Sequence, residues 1–374
     1  MTKKKPLPKK EKQPAQPAKT PSRIILLWLT VICIVTALAY SPTIKNQLTN
    51  WDDAKYITEN PCFTTLNGDN LKKMFLEYYM GNYHPLTMLS LTTDYLVAGR
   101  DRQGNINIWM FKTVNILLHI ISTVLVFLFV FLLFRKPDVA LVAAFLFGLH
   151  TLHVESVSWM SERKDVLYSA FFLASLVSYV QYARQNKLIY FVISLVMFAL
   201  SLLSKGQAVS LAVSLVAIDY CLERKLLSTK VILEKIPFFV LAVIFGVVAV
   251  QAQRAASDIT DYTMYQRTGF AAYGFFQYLS KLVLPVNLAA VYPYPDIIRR
   301  TVPAHYWLGL IPAVVIVAGV FTFFKKLKEV WFGVVFFVIN IFLLLQFIPV
   351  GGAVYADRYA YIPSVGFCII GGYG

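Results

Sequence analysis

Charge is what this chain has least of. Charged residues make up 15% of its 374 positions, against 57% hydrophobic. That is too little to wet the surface of a soluble protein of this length. Cysteine is nearly absent too: Cys33, Cys62, Cys221 and Cys368 stand far apart, which leaves no disulfide framework or cysteine-based zinc motif to read from spacing. No helical-repeat period runs through the chain, and the short alternation of a barrel strand is missing. What is present is a series of apolar runs of roughly 17–25 residues, the length that crosses a bilayer as helix. The composition predicts an all-α integral membrane protein, a polytopic helical bundle.

Residues 1–23 differ from the rest. Lys3, Lys4, Lys5, Lys9, Lys10, Lys12, Lys19 and Arg23 oppose a single Glu11, and five prolines interrupt the stretch. Such a tail cannot bury enough apolar surface to fold and should be a disordered, cytosolic, lipid-attracted segment. A positive-inside topology signal explains its charge without a nucleic-acid partner. The bundle should then occupy 24–374, with spans near 24–40, 113–134, 139–158, 166–183, 188–203, 207–222, 236–252, 306–324 and 330–348. A last run begins near Pro363 and stops at Gly374, shorter than a span needs, so the polypeptide reads as truncated. Basic connections at Arg135-Lys136, Arg184–Lys187, Arg224–Lys235 and Lys325–Lys328 should face the cytosol and are otherwise unremarkable. The opposite face then gathers a large first loop (41–112), 153–165, 204–206, 253–305 and 349–362. In the first loop, Leu71–Tyr79 is patterned as an amphipathic interfacial helix. Phe270–Leu284 is only moderately apolar and reads as interfacial or re-entrant rather than spanning.

The unusual polar residues concentrate on that face. Asp52 and Asp53 are adjacent carboxylates about a dozen residues past the first span, with no cation beside them in sequence. Such a pair suits a general base or a divalent ion (Mg or Mn) equally; it is also compatible with the wet end of a helix. His84 could titrate or bind phosphate, or simply be solvated. His150 and His153 share a helical face, with Glu155 imperfectly placed as a third metal ligand. Ser161–Asp165 packs four charges into a turn that either holds a phosphate or is solvated. Lys205 in a tight turn must snorkel or meet an anion. Arg358 stands among Tyr355, Tyr359 and Tyr361, with Asp357 as a rival partner to a lipid phosphate.

Six stretches together carry a resemblance: NWDDAKYITENP (50–61), YHPLTMLS (83–90), HTLHVESVSWMSERKDVL (150–167), LLSKGQAVSLAVSLVAIDY (202–220), LPVNLAAVYPYP (284–295) and YADRYAYIPSVGF (355–367). They spread in order over most of the chain, which resembles the bacterial relatives of the TMTC-type membrane O-mannosyltransferases. These belong to the GT-C class of polyprenyl-phosphate-sugar-dependent glycosyltransferases. The resemblance implies a GT-C-type bundle and an acidic acceptor-side motif at Asp52-Asp53. It also implies an Arg-x-Asp turn at Arg163 and Asp165, and an acidic-Arg-Tyr-x-Tyr-x-Pro motif at Asp357, Arg358, Tyr359, Tyr361 and Pro363. Two departures from the pattern matter. The common His-Pro-x-His reads His150-Thr151-Leu152-His153. Animal members often carry Arg where His84 stands and Glu where Gly206 stands, so no carboxylate can act at 206. Many members continue into tetratricopeptide repeats, which would offer a protein-docking surface beyond this sequence.

The expected function is an inverting membrane glycosyltransferase. It would take a monosaccharide from a polyprenyl-phosphate donor to a protein Ser/Thr or glycan hydroxyl, on the periplasmic face of a bacterial inner membrane or in an ER lumen. Asp52 or Asp53 would be the base. Arg358, Arg163 and Lys205 would hold the phosphate, with His84, His150, His153, Glu155, Asp165, Asp357, Tyr359 and Tyr361 in support. A transporter or flippase for a lipid-linked or anionic substrate is the alternative; it would place polar groups at mid-bilayer, often on repeated broken helices. A membrane scaffold or sensor would have no need of Asp52-Asp53.

Overall fold

The computed structural model describes residues 22–60, 62–256, 262–295, 301–322, 327–347 and 352–374. Most of the basic tail, Arg299-Arg300 and Lys325-Lys326 lie outside the described residues. The protein is an all-α multi-pass membrane bundle. Its helices are α1 (Ser22–Tyr40), α2 (Gly68–Leu76), α3 (Pro85–Ala98), α4 (Trp109–Phe134), α5 (Pro137–Leu149), α6 (Val154–Ser158) and α7 (Arg163–Gln185). They continue as α8 (Leu188–Ser204), α9 (Leu211–Cys221), α10 (Thr229–Ala256), α11 (Met264–Val283), α12 (Leu310–Thr322), α13 (Lys328–Phe342) and α14 (Ser364–Tyr373). The described sheet is one antiparallel pair, β1 (Tyr292–Pro293) and β2 (Ala353–Tyr355).

Local chemistry explains where these helices stop and start. Asn186 adopts a left-handed conformation just past α7, and Pro137 opens α5 in its first turn; both are favoured at those positions. The centre of the bundle packs α7 on α8 and α4, α5 on α4 and α14, and α13 on α14. Val126, Phe129, Phe147, Phe172, Leu176, Phe198 and Phe336 are buried there. The α13–α14 crossing depends on small residues: a Cβ on Gly366 would lie 2.2 Å from the Gly333 carbonyl oxygen. Outward-facing apolar side chains such as Leu26, Leu38, Val243, Val314 and Val315 stay exposed, as a lipid-facing surface requires.

Among the described residues, four helical stretches are long and apolar enough to cross a membrane: Ser22–Lys45, Trp109–Phe134, Met160–Gln185 and Thr229–Ala255. A fifth counts only if Pro137–Leu149 and Thr151–Ser158, bent by 50°, form one span. This corrects the continuous 139–158 span: the helix breaks at His150, whose backbone is extended. It also moves the start of the next helix from 166 back to Arg163, so that the charged residues of that turn enter its first turn. Several other expected spans are shorter apolar helices, Leu188–Ser204 and Ser364–Tyr373 among them.

The first loop is folded. Tyr56, Ile57, Phe63, Met74, Met88, Leu91 and Phe111 bury one another in their own cluster. The interfacial helix expected at Leu71–Tyr79 forms slightly earlier, capped by Asn67 accepting from the Asn70 amide at 2.8 Å, and leaves Leu71 and Leu76 exposed. The segment expected from Phe270 begins at Met264 behind a Thr263–Gln266 capping box, and buries Phe270, Phe275, Tyr278 and Leu282 against the β-pair side of the bundle.

Candidate functional site

The site is built at the end of the bundle where α5 breaks. Trp159–Glu162 turns back there and α7 begins. Asp53 fastens the first loop onto this turn. It is fully buried; its Oδ2 accepts from the Thr49 amide and hydroxyl, both at 2.9 Å, and its Oδ1 from the Ser161 amide at 3.0 Å. Trp51 packs edge-on against Trp159, ring centres 5.4 Å apart. Asp52, one residue earlier, is half-buried and accepts no hydrogen bond among the described residues. It lies within electrostatic reach of Tyr56 and Lys164. The two carboxylates, equivalent in sequence, are therefore unlike: one is spent on the fold and one is open.

Behind Asp52 lies a buried ionic chain. Arg358 pairs with Glu155 through its guanidinium, and its backbone amide donates to the same carboxylate at 3.0 Å. Its Nε is 3.4 Å from Glu162, which also holds Lys164 at 3.0 Å and stands 4.0 Å from Lys205. Lys205 is paired with Asp165, whose other oxygen accepts from Ser156 at 3.0 Å. Arg358 lies over the rings of Trp159 and Tyr359, at 5.4 and 5.0 Å. Three cations thus meet three carboxylates in one network. The turn at 161–165 is not solvated: Glu162, Arg163 and Asp165 are all at most 1% exposed.

Several expected roles change. Arg163 points elsewhere, donating to Asn115, Ser90, Asp94 and the Phe111 carbonyl. Fully buried and committed in this way, it has the geometry of a bolt between α3, α4 and α7, and no free donor pair remains for a phosphate. Asp357 does not neutralise Arg358. It accepts from the Tyr292 hydroxyl at 2.9 Å, while burial pushes its carboxyl above the usual range against that bond and the nearby Lys281 and Arg358 charges. The neutralising residues are Glu155 and Glu162, distant in sequence. Lys205 does not snorkel: it is paired with Asp165.

The histidines also separate. His150 bonds the Leu282 carbonyl at 3.0 Å and accepts from the Leu152 amide. His153 joins the Phe147 carbonyl to the Ser364 hydroxyl, at 2.8 and 2.9 Å. Tyr361 is buried in the core with its hydroxyl 2.6 Å from His119. These ring nitrogens are occupied by the fold. Among the described residues no group of three or more His, Cys, Asp or Glu side chains could hold a metal ion. His84 is the exception. It is 3% exposed, not solvated, and among the described residues neither ring nitrogen has a hydrogen-bond partner. Burial, aided by Lys164 and Lys205 and opposed by Glu162, lowers its pKa to about 3, so it is neutral at pH 7.

Sequence reading passed over Asp94, Asn115 and Tyr56, and did not single out Glu162 or Lys164. Asp94 carried a usable signal: a lone carboxylate in an otherwise apolar and hydroxyl-bearing helix demands a cation. Tyr56 carried none, because a loop tyrosine is ordinary.

A family model described as dolichyl-phosphate-mannose-protein mannosyltransferase matches residues 95–252. A protein O-mannosyl-transferase of Caenorhabditis elegans is 25% identical over 348 residues, covering 86% of this chain and 47% of the relative. The human protein O-mannosyl-transferase TMTC3 is 30% identical over 132 residues, 34% of this chain and 14% of the relative. The Xenopus laevis protein O-mannosyl-transferase tmtc2 is 37% identical over 101 residues, 27% of this chain and 11% of the relative. The chain thus spans just under half the length of the worm protein and much less of the others.

Proposed function

We propose that this chain, which is related to the TMTC-type protein O-mannosyl-transferases, is an inverting membrane glycosyltransferase. It takes a monosaccharide from a polyprenyl-phosphate donor to a hydroxyl of a protein or glycan. The single observation that carries the reading is Asp52. It is the open carboxylate of the acidic pair, within electrostatic reach of Lys164 in the buried ionic network.

Asp52 accepts the proton of the acceptor hydroxyl as its oxygen attacks the anomeric carbon. The bond from that carbon to the phosphate oxygen breaks, and the phosphate leaves with the electron pair. Arg358 and Lys205 are the cations that neutralise it; their carboxylate partners Glu155 and Asp165 keep them in place between turnovers. Asp53 positions the loop, and Arg163 has no contact with substrate in this scheme. The site faces the non-cytosolic side, as the distribution of basic connections suggests.

The test is transfer by the purified full chain in nanodiscs from polyprenyl-phosphate mannose. Asp52→Asn should lower turnover by about 10²–10⁴ with unchanged thermal stability. Asp53→Asn should lower the melting temperature. Near-normal turnover of Asp52→Asn would remove the base assignment.

A further inference from the structure

We infer that His84 and Tyr56 form a hydroxyl-recognising subsite for the sugar that is transferred. The inference rests on the glycosyl-transfer reading and specifies which part of the substrate these two side chains meet.

The two rings touch, with centroids 5.5 Å apart. Between them they carry three buried polar atoms without a partner: His84 Nδ1, His84 Nε2 and Tyr56 Oη. The neighbouring turn adds Ser161 Oγ, and Glu162 Oε2 accepts no hydrogen bond although it stands 4.0 Å from the Lys205 ammonium. A single buried polar atom without a partner is an ordinary imperfection; four on adjoining residues are not, since each forfeits a hydrogen bond it makes in water. The other buried histidines of the bundle show the contrast, because His119 and His153 use both ring nitrogens.

Both groups are held firmly. The His84 carbonyl accepts from the Thr87 and Met88 amides as α3 begins, at 3.0 and 3.2 Å. The Thr87 hydroxyl donates to the Ser204 carbonyl at 2.9 Å, which sets His84 beside Lys205. Tyr56 is fully buried, with Tyr79 edge-on at 5.3 Å and the Lys164 ammonium 5.2 Å from its ring centre.

Chemistry selects the ligand. A neutral imidazole presents one donor and one acceptor, and a phenol presents both at one oxygen. A phosphate dianion has no proton for the imidazole acceptor; a sugar hydroxyl uses donor and acceptor alike. Position agrees. Tyr56 is within reach of the Asp52 charge and His84 within reach of Lys205. The two rings therefore stand near both the base and a phosphate cation, and in a single displacement the transferred sugar must lie between the attacking hydroxyl and the leaving phosphate.

The experiment compares binding of polyprenyl-phosphate mannose and plain polyprenyl phosphate to the full chain in nanodiscs, for wild type, His84→Gln and Tyr56→Phe. Wild type should bind the sugar-bearing lipid more tightly. Each variant should lose about 10-fold of that margin, as for one hydrogen bond, while its affinity for plain polyprenyl phosphate stays unchanged. Transfer with deoxy donors supplies the second measurement. The loss caused by Tyr56→Phe should vanish against the one deoxy position that its hydroxyl meets. Equal losses for both lipids, or equal losses across every deoxy donor, would make the pair structural and overturn the inference. A wild type that binds the sugar-bearing lipid no better than the plain one also overturns it. Sugar-dependent binding without any transfer would instead sink the glycosyltransferase reading and leave the subsite standing.

Discussion

Two buried ionic networks stand at opposite ends of α7, and they are built to different standards. The one near Arg163 joins Glu155, Glu162, Lys164, Asp165, Lys205 and Arg358. The other joins Asp219 to Arg224 and Lys235, and Arg224 to Glu234, with the Tyr179 hydroxyl on Asp219 and the Tyr182 hydroxyl on Glu234. Along α7 they are roughly 20 Å apart, at about 1.5 Å per residue from Asp165 to Tyr179. Among the described residues, no buried side-chain atom of the second network lacks a hydrogen bond. At the first, Ser161 Oγ and the adjacent His84 and Tyr56 have none, and Glu162 Oε2 has only the Lys205 charge at 4.0 Å. A saturated network is a fastening: it crosses α7, α9 and α10 and closes on itself. An unsaturated one at the same depth is costly to the fold, and that cost is reasonable only where a ligand completes it.

The largest effect should come from breaking the saturated network. Asp219→Ala leaves Lys235 and Arg224 buried with one partner fewer, and should cost about 3–5 kcal/mol of stability. Turnover per folded molecule should stay normal. Thermal unfolding in nanodiscs beside a transfer assay checks both, and a selective loss of turnover would make the two networks alike. Asp94→Asn, which weakens the hold on the buried Arg163, should act in the same direction by about 3 kcal/mol. That outcome would separate Arg163 from the cations that meet substrate.

Arg358→Lys should act the other way. It keeps the charge but loses the planar fork, and should weaken donor binding by about 1–3 kcal/mol. Unchanged affinity in the lysine variant would remove bidentate phosphate holding; unchanged affinity in Arg358→Ala would remove Arg358 from the site.

The effect that is smallest at neutral pH is a pH dependence. The folded pKa of His84 is depressed from 6.5 to about 3. Below pH 6.5 the unfolded chain takes up a proton that the native state refuses. The stability associated with neutral His84 is therefore intact above pH 6.5 and is lost as pH falls towards 3, by up to about 1.4 kcal/mol per pH unit. His84→Gln should flatten the acid limb of the melting-temperature profile and leave its neutral limb unchanged. An identical acid limb would mean that His84 is solvated.

Much of this was legible in the chain. Apolar run length revealed the helices, since a bilayer admits little else. The WDD, HTLHVESVSWMSERKDVL and YADRYAYIP stretches marked the residues that meet at the site. Pairings were not legible, because they join residues far apart: Arg358 with Glu155, Lys205 with Asp165, Arg163 with Asp94. A solvated turn and a buried one can share one sequence, so the burial of Glu162–Asp165 was hidden as well. The saturated network was hidden because the charge of Arg224 and Lys235 already had a topological explanation, and nothing local tied them to Asp219 and Tyr179 inside the apolar runs.

Sequence by itself determined that this protein is a membrane-embedded helical bundle and which of its segments carry unusual polar residues. Composition and run length are local properties, and they suffice for that. Only the tertiary structure decided what each polar residue does. Asp52 and Asp53 are chemically identical neighbours, and they differ because the Thr49 and Ser161 amides reach one and not the other. Arg163 and Arg358 are the same side chain; the first is enclosed by acceptors on α3 and α4, and the second pairs with Glu155 and Glu162 in the network beside Lys205. A role of this kind is set by which hydrogen-bonding groups remain unspent, and that sum is taken over the whole fold.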